Sequence, residues 1–454
     1  MMTERDQQLD RYLQENLENY IQETATLCAQ PSISATGEGV ESCAELVAAL
    51  LEQRNFRVER VETPGNPVIV GHLSGASHRT LLCYNHYDVQ PPEPLELWTT
   101  PPFEPTLRGG ALYARGAKDD KGELVARLAA FDAVRAVYGE PPCSLLFVVE
   151  GEEEIGSPHM PQFVEDNRER LQCHGAIWET GGTTIDGHPE LWLGCRGVLA
   201  VELSVETLSK DAHSGSAHIL PNAAWRLTRA LSSLKDANDR IRIAGFYDQA
   251  VALSEADRRH LATLPDMEKR LREVYGVEEF VRGLSGADLR SAVFEPTCNI
   301  QGLQSGYTGQ GMKTVIPAVA RVKLDFRLVP WQDPDDILDK LRTHLDREGF
   351  HDVVISKLGA MWPYKADDND PLVALVRQSG EEVYGKASVV TPLLGGSSPV
   401  YAFHRPLNIP VVSAGIGYGM ENRLHAPDEH IRIDDFLQGC RHISRIMARF
   451  DTLS

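Results

Sequence analysis

Five short stretches of the chain carry side chains that could bind metal or move protons, at the ends of apolar runs or in the loops between elements. The first is Leu81-Leu82-Cys83-Tyr84-Asn85-His86-Tyr87-Asp88, in which residues 79–84 read as a buried strand too short for a helix. That strand delivers an imidazole and a carboxylate to its carboxyl end, where sites form in open α/β sheets. Strand side chains alternate, so His86 and Asp88 share a face if the extended geometry continues, and a metal-bound imidazole is usually held by a carboxylate on its other nitrogen. The second stretch is the charged, glycine-flanked loop Arg115-Gly116-Ala117-Lys118-Asp119-Asp120-Lys121-Gly122. Two adjacent aspartates among apolar elements call for a counter-charge, from a bound cation or from solvent and the dipole of the helix that follows. The third, Glu152-Glu153-Glu154, follows an apolar strand, and three neighbouring carboxylates are either splayed into water or held by metal. Glu179 ends the apolar run Ala176-Ile177-Trp178, and His425 lies in the loop before the last helix. Each signal alone is weak, but together they make a list of His, Asp, Glu, Glu and His side chains at the ends of consecutive strands.

The elements that must position these groups are an amphipathic helix over 6–28, a helix over 41–54, strands over 68–73 and 112–114, and a helix over 123–138. Strands follow at 144–149, 176–179 and 410–416, and a closing helix at 434–450. Between them, a strand at 198–207, a helix at 222–234, strands at 297–303 and 314–329, a helix at 335–346 and a strand at 352–358 give the order βαββαβ, a ferredoxin-like α+β sandwich. A charged, helix-forming insertion occupies 236–296.

With 454 residues, 42% of them apolar, the chain can bury more than one core. The net charge of −20 disfavours nucleic acid or an anionic membrane as partner. No apolar run is long enough for a membrane span, and no apolar export signal opens the sequence, so the cytoplasm is the expected location. The eight cysteines are scattered without a Cys-x-x-Cys pair, against a disulfide framework or a thiolate zinc site.

The segments His86-Tyr87-Asp88, Gly116 to Gly122, Glu152 to Ser157 and Leu424-His425-Ala426-Pro427, in that order, resemble the dinuclear zinc peptidase superfamily of carnosinase, cytosolic nonspecific dipeptidase, aminoacylase and succinyl-diaminopimelate desuccinylase. The resemblance runs over essentially the whole chain. It implies an α/β, mixed-sheet catalytic domain over 1–197 and 366–454, with an inserted lid and dimerisation domain over 198–365. It implies two divalent ions per subunit, zinc first, with manganese or cobalt also suiting imidazole and carboxylate ligands. Asp119 would bridge them, His86 and Glu179 completing one site and Glu154 and His425 the other. Glu153 matches the general base and Asp88 the carboxylate that orients His86. Glu152 has no counterpart and is expected to be solvated. The Asp119-Asp120 peptide is cis in such relatives.

In the lid, the resemblance makes His213 an oxyanion donor reaching across a homodimer, with His218 unmatched. It makes Arg327 the anchor of a substrate carboxylate, and Thr314 and Ser397 substrate contacts. The long insertion is similar to the dipeptidase branch. Glu179, however, is aspartate in many dipeptidase and aminopeptidase relatives and glutamate in many carboxypeptidase and deacylase relatives. The expectation is therefore hydrolysis of short peptides, first of all dipeptides; a metallocarboxypeptidase or N-acyl-amino-acid deacylase is the runner-up. A non-catalytic dimeric metal-binding protein is the reading from another class.

Overall fold

A computed structural model describes residues 3–453 of the chain. It divides into two compact units: the first comprises the chain up to Leu193, Ala366–Thr391 and the chain from Pro399, and the second comprises Gly194–Lys365 and Pro392–Ser398.

The first unit is built on a six-stranded mixed sheet. From edge to edge it runs Arg57–Val61, Val68–Leu73, Ser144–Glu150, Thr80–His86, Gly175–Trp178 and Val411–Ser413. The last four strands are parallel, and the first two join antiparallel at one edge. Every residue of Ser144–Glu150 is buried, as expected of a parallel strand covered on both faces. The apolar helix Lys121–Tyr138 lies against the strand Thr80–His86 and the closing helix Ile433–Arg449. The parallel strands therefore all present their carboxyl ends, and the loops leaving them, on one side of the sheet.

The expected helix over 6–28 is two helices, Glu4–Glu15 and Leu17–Ala29, broken at Asn16. The Asn16 side-chain amide donates to the Tyr12 carbonyl, 2.9 Å away, the local competition that makes asparagine a poor helix interior residue.

The second unit contains a four-stranded antiparallel sheet, in the order Thr297–Ser305, Val319–Leu328, Gly197–Glu206, Val354–Met361. Burial alternates along Gly197–Glu206, and its inward residues Leu199, Val201, Leu203 and Val205 pack with Leu227 and Leu341 from the helices Ala223–Leu234 and Pro334–Arg347. This is the βαββαβ sandwich read from the sequence. The insertion carries the short helices Glu255–Thr263, Glu268–Tyr275 and Gly286–Ser291. The expected strand over 314–329 is interrupted at Pro317, which has no N–H to give to a ladder. Val315–Ile316 pairs instead with Ala212–His213, and the Ala318 N–H goes to Asp211 Oδ1 at 2.9 Å.

Candidate metal centre

His86 ends its strand with the ring buried. Its Nδ1 lies 3.0 Å from the Asp88 carbonyl and 3.3 Å from the Asp88 carboxylate, two acceptors that place the proton on that nitrogen and leave Nε2 as a donor to a metal. Nε2 faces Asp119 Oδ1 at 3.0 Å and Glu179 Oε2 at 3.7 Å. The other oxygen of Asp119, Oδ2, lies 3.0 Å from His425 Nε2, which is itself 3.2 Å from Glu154 Oε2. One carboxylate thus presents its two oxygens to two different imidazoles. Glu179, at the carboxyl end of Gly175–Trp178, stands on the His86 side, and Glu154 on the His425 side. The structure therefore brings together His86, Asp88, Asp119, Glu154, Glu179 and His425.

Asp88 does more than orient His86. Its two oxygens accept the N–H groups of Glu153 and Glu154, at 3.2 and 3.0 Å, and so pin the turn that carries both glutamates. The Asp119-Asp120 peptide is cis. Asp120, which the sequence reading left without a role, is buried beside the centre: Oδ2 accepts from the Asn85 amide at 2.6 Å and from the His86 N–H at 3.0 Å. The ligand atoms of His86, Asp119 and Glu154 lie within 4.8 Å of one another, as do those of His86, Asp120 and Glu179.

The donor set fits divalent cations. Glu154 Oε1, Glu179 Oε2 and Asp120 Oδ1 are buried without a hydrogen-bond partner among the described residues, a costly arrangement unless a cation takes up those lone pairs. The electrostatics agree. Burial, followed by the charge of Glu153, pushes Glu179 well above the carboxylate range. Burial, with Asp119 and Glu154 adding to it against His86, lifts Glu153 to about 7. Burial opposes ionisation of Asp119 too, but hydrogen bonds from His425 and His86 carry it well below its ordinary value. His425, beside Asp119 and Glu154, rises to about 10.

Glu152 departs from expectation. It is buried, not solvated, with Oε2 2.6 Å from His159 Nδ1, and Gly65 leaves the room: a Cβ at that glycine would lie 1.9 Å from Glu152 Oε1. Two further residues escaped sequence reasoning. Gln90 donates to Glu154 Oε2 at 2.9 Å. Arg127, fully buried, donates to the carbonyls of Tyr84, Trp178 and Ala414, tying together the ends of three parallel strands, two of which lead into His86 and Glu179.

The remaining expected residues belong to the second unit, where they form two pairs. His213 is exposed, its Nδ1 accepting from the Gly215 N–H at 3.0 Å and its Nε2 lying 3.4 Å from Thr314 Oγ1. Arg327 Nη1 donates to Ser397 Oγ at 2.9 Å. His218 is exposed, with Nδ1 3.1 Å from the Gly215 carbonyl.

Two imidazoles facing the two oxygens of one carboxylate, at the carboxyl end of a mixed α/β sheet, make a candidate metal centre. The chain belongs to the peptidase family M20/M25/M40, whose model matches residues 82–449. It is 27% identical over 437 residues to the Cys-Gly metallodipeptidase dug1 of Schizosaccharomyces pombe, covering 92% of this chain and 90% of that one. To the Beta-Ala-His dipeptidase of Mus musculus it is 26% identical over 404 residues, 85% of this chain and 80% of that one. Among solved structures, the M20 family metallo-carboxypeptidase Sso-CP2 from Sulfolobus solfataricus superposes with a TM-score of 0.87 at 35% identity, covering 96% of this chain and 99% of that one. The protein is accordingly a metal-dependent peptidase, an enzyme that hydrolyses amide bonds.

Proposed function

We propose that the enzyme is a dipeptidase working through two divalent cations, zinc first, that share Asp119. The observation that supports the two-cation centre is the placement of the two Asp119 oxygens, each 3.0 Å from a different histidine Nε2, and the dipeptidase reading is supported by the similarity to the metallodipeptidase dug1 and the Beta-Ala-His dipeptidase. His86 and Glu179 would hold one cation, and Glu154 and His425 the other. When bound, such a pair of cations polarises the scissile carbonyl and makes water acidic enough to attack it near neutral pH.

The chain's own residues do the rest. Glu153, lifted to about 7, is poised to accept a proton from the attacking water and to return it to the leaving amine. Asp88 keeps the Nδ1 proton on His86 and holds the backbone of Glu153 and Glu154. Arg327 anchors the substrate carboxylate through a guanidinium already oriented by Ser397, which sets the register of the scissile bond. The partner subunit's His213 donates to the developing oxyanion in a homodimer, with Thr314 beside the ring in each subunit. Eight cysteines, all free, suit the cytoplasm, and no helix among the described residues is long and apolar enough to cross a membrane.

A second reading, a carboxypeptidase, is favoured by Glu179 and by the 35% identity to Sso-CP2. One experiment separates the two. Metal-stripped protein, with zinc, manganese or cobalt restored, is offered free dipeptides, longer peptides and N-acyl amino acids. Metal-dependent cleavage restricted to free dipeptides supports the dipeptidase; cleavage of longer peptides or N-blocked substrates at their carboxyl end overturns it in favour of the second reading.

A further inference from the structure

Glu429 lies four residues beyond His425 and is completely buried. All of its acceptor capacity is spent on the loop that carries Asp119. Oε2 accepts from Arg115 Nη1 at 2.7 Å and from the Gly116 N–H at 3.2 Å. Oε1 accepts from the N–H groups of Lys118 and Asp119, both at 3.0 Å. The backbone carbonyl of the same residue accepts from the Ala114 N–H at 3.1 Å. A single residue of the His425 loop thus gathers the backbone around Asp119, and its last bond is to Asp119 itself.

The His425 end is closed just as tightly. The Ala426 N–H donates to the Arg423 carbonyl at 3.0 Å, and the Asn422 amide donates to the His430 carbonyl at 2.8 Å. His425 adopts φ 58°, a left-handed conformation that the surrounding turn must hold. A bonded route from Asp119 to His425 outside the centre runs through Glu429: its carboxylate accepts the Asp119 N–H, and four residues of backbone lead back to His425. The other donors have supports besides Glu429: His86 and Glu179 stand at the ends of sheet strands, His86 also held through its N–H by Asp120, and Glu154 is held by Asp88 and Gln90.

We infer that Glu429 is a positioning residue that sets the spacing between Asp119 and His425, and so governs the cation on the His425 side selectively. This rests on the reading of Asp119 as the shared ligand. Residues that orient ligands from behind typically change metal affinity by about 10–100-fold when altered.

The test measures binding of Zn²⁺ alone to the full chain, by competition with a chromophoric chelator and by metal content after dialysis. Wild type is expected to take up two equivalents and His425→Ala one. Glu429→Gln is expected to bind the first equivalent within about threefold of wild type and the second about 10–100-fold more weakly. Because Glu429→Gln also strands the buried Arg115, the double variant Arg115→Gln/Glu429→Gln removes both charges and relieves that penalty. The double variant should regain the thermal midpoint lost in Glu429→Gln without regaining the second site, whereas a residue that merely neutralised Arg115 would recover both. Wild-type affinity at both sites in Glu429→Gln, or recovery of the second site in the double variant, overturns the inference while leaving the ligand reading intact. Uptake of only one equivalent by wild type, or of two by His425→Ala, overturns the ligand reading and the inference with it.

Discussion

Replacing Glu153 by glutamine should move activity and stability in opposite directions. The backbone N–H of residue 153 still reaches Asp88 Oδ1, 3.2 Å away, so the isosteric amide keeps the turn and the neighbouring ligands in place. It cannot accept a proton, and loss of a general base costs between about 10² and 10⁴ in kcat. Here the same carboxylate serves attack and leaving-group protonation, so a fall of about 10³ or more is expected, with KM and zinc content unchanged. Stability follows from the charge. Burial, reinforced by Asp119, Glu154 and Asp88 against the opposing His86, raises Glu153 from 4.5 to about 7, a cost of roughly 3 kcal/mol, which partial exposure trims to about 2 kcal/mol. An acid whose folded-state pKa is raised destabilises the fold only when ionised: the cost is absent below pH 4.5 and complete above pH 7. Metal-stripped Glu153→Gln should therefore melt a few degrees above metal-stripped wild type at pH 8 and level with it near pH 4.5. Scanning calorimetry of the stripped proteins, beside kcat on a dipeptide for the zinc-loaded ones, reads both. A variant that keeps more than a tenth of kcat refutes the assignment of the base, and an unchanged or lower melting temperature at pH 8 refutes the electrostatic account of the pocket.

Three further outcomes follow from the same geometry. Neighbouring cations favour the ionised carboxylate, so the acid limb of kcat/KM against pH should lie at or below the value of about 7 that Glu153 has without them; a limb centred well above 7 would contradict its role. Arg327→Lys should raise KM for dipeptides about tenfold or more with little change in kcat, because a lysine cannot reproduce a bidentate contact; Ser397→Ala, which loses only the 2.9 Å bond that orients the guanidinium, should do so less, and equal effects would argue against a direct substrate role for the arginine. His442 is buried, donates to the Val376 carbonyl and is depressed to about 4 by that burial. Its neutral form contributes stability that is complete above pH 6.5 and declines as pH falls towards 4, by roughly 3 kcal/mol in all; urea denaturation of His442→Gln should show a flatter dependence over that range, and parallel curves would remove His442 from the account.

The residues that gather at the candidate centre were legible because their signals are local: His86, the Glu152-Glu153-Glu154 run and Glu179 follow apolar runs, and Asp119 and His425 sit in short distinctive loops. The sandwich of the second unit was legible for a related reason, since alternation in 198–207 and helical spacing in 222–234 and 335–346 report burial directly. The misreadings have equally local causes. Asn16 and Pro317 are helix and ladder breakers in plain sight, outweighed by the apolar periodicity around them. Pro317 matters most, because the break turns Val315–Ile316 onto Ala212–His213 and so sets Thr314 beside His213.

The supports of the centre were not legible, and could not be from local pattern. Glu152 reads as a solvated charge until His159 folds back to it and Gly65 makes room. Arg127 interrupts an apolar helix as if it marked a solvated face, yet its acceptors are carbonyls on or just past three strands from distant parts of the chain. Glu429 is an ordinary loop glutamate in its own neighbourhood, and its partners precede it by more than three hundred residues. The type of each group at the centre can be read beside it in the chain, but the contacts that hold the groups in place exist only after folding. A centre that shares one carboxylate between two imidazoles depends on the spacing of those groups more than on any single donor, which is why substitutions at Arg127 and Glu429 should disturb metal binding although neither side chain is placed to touch a metal.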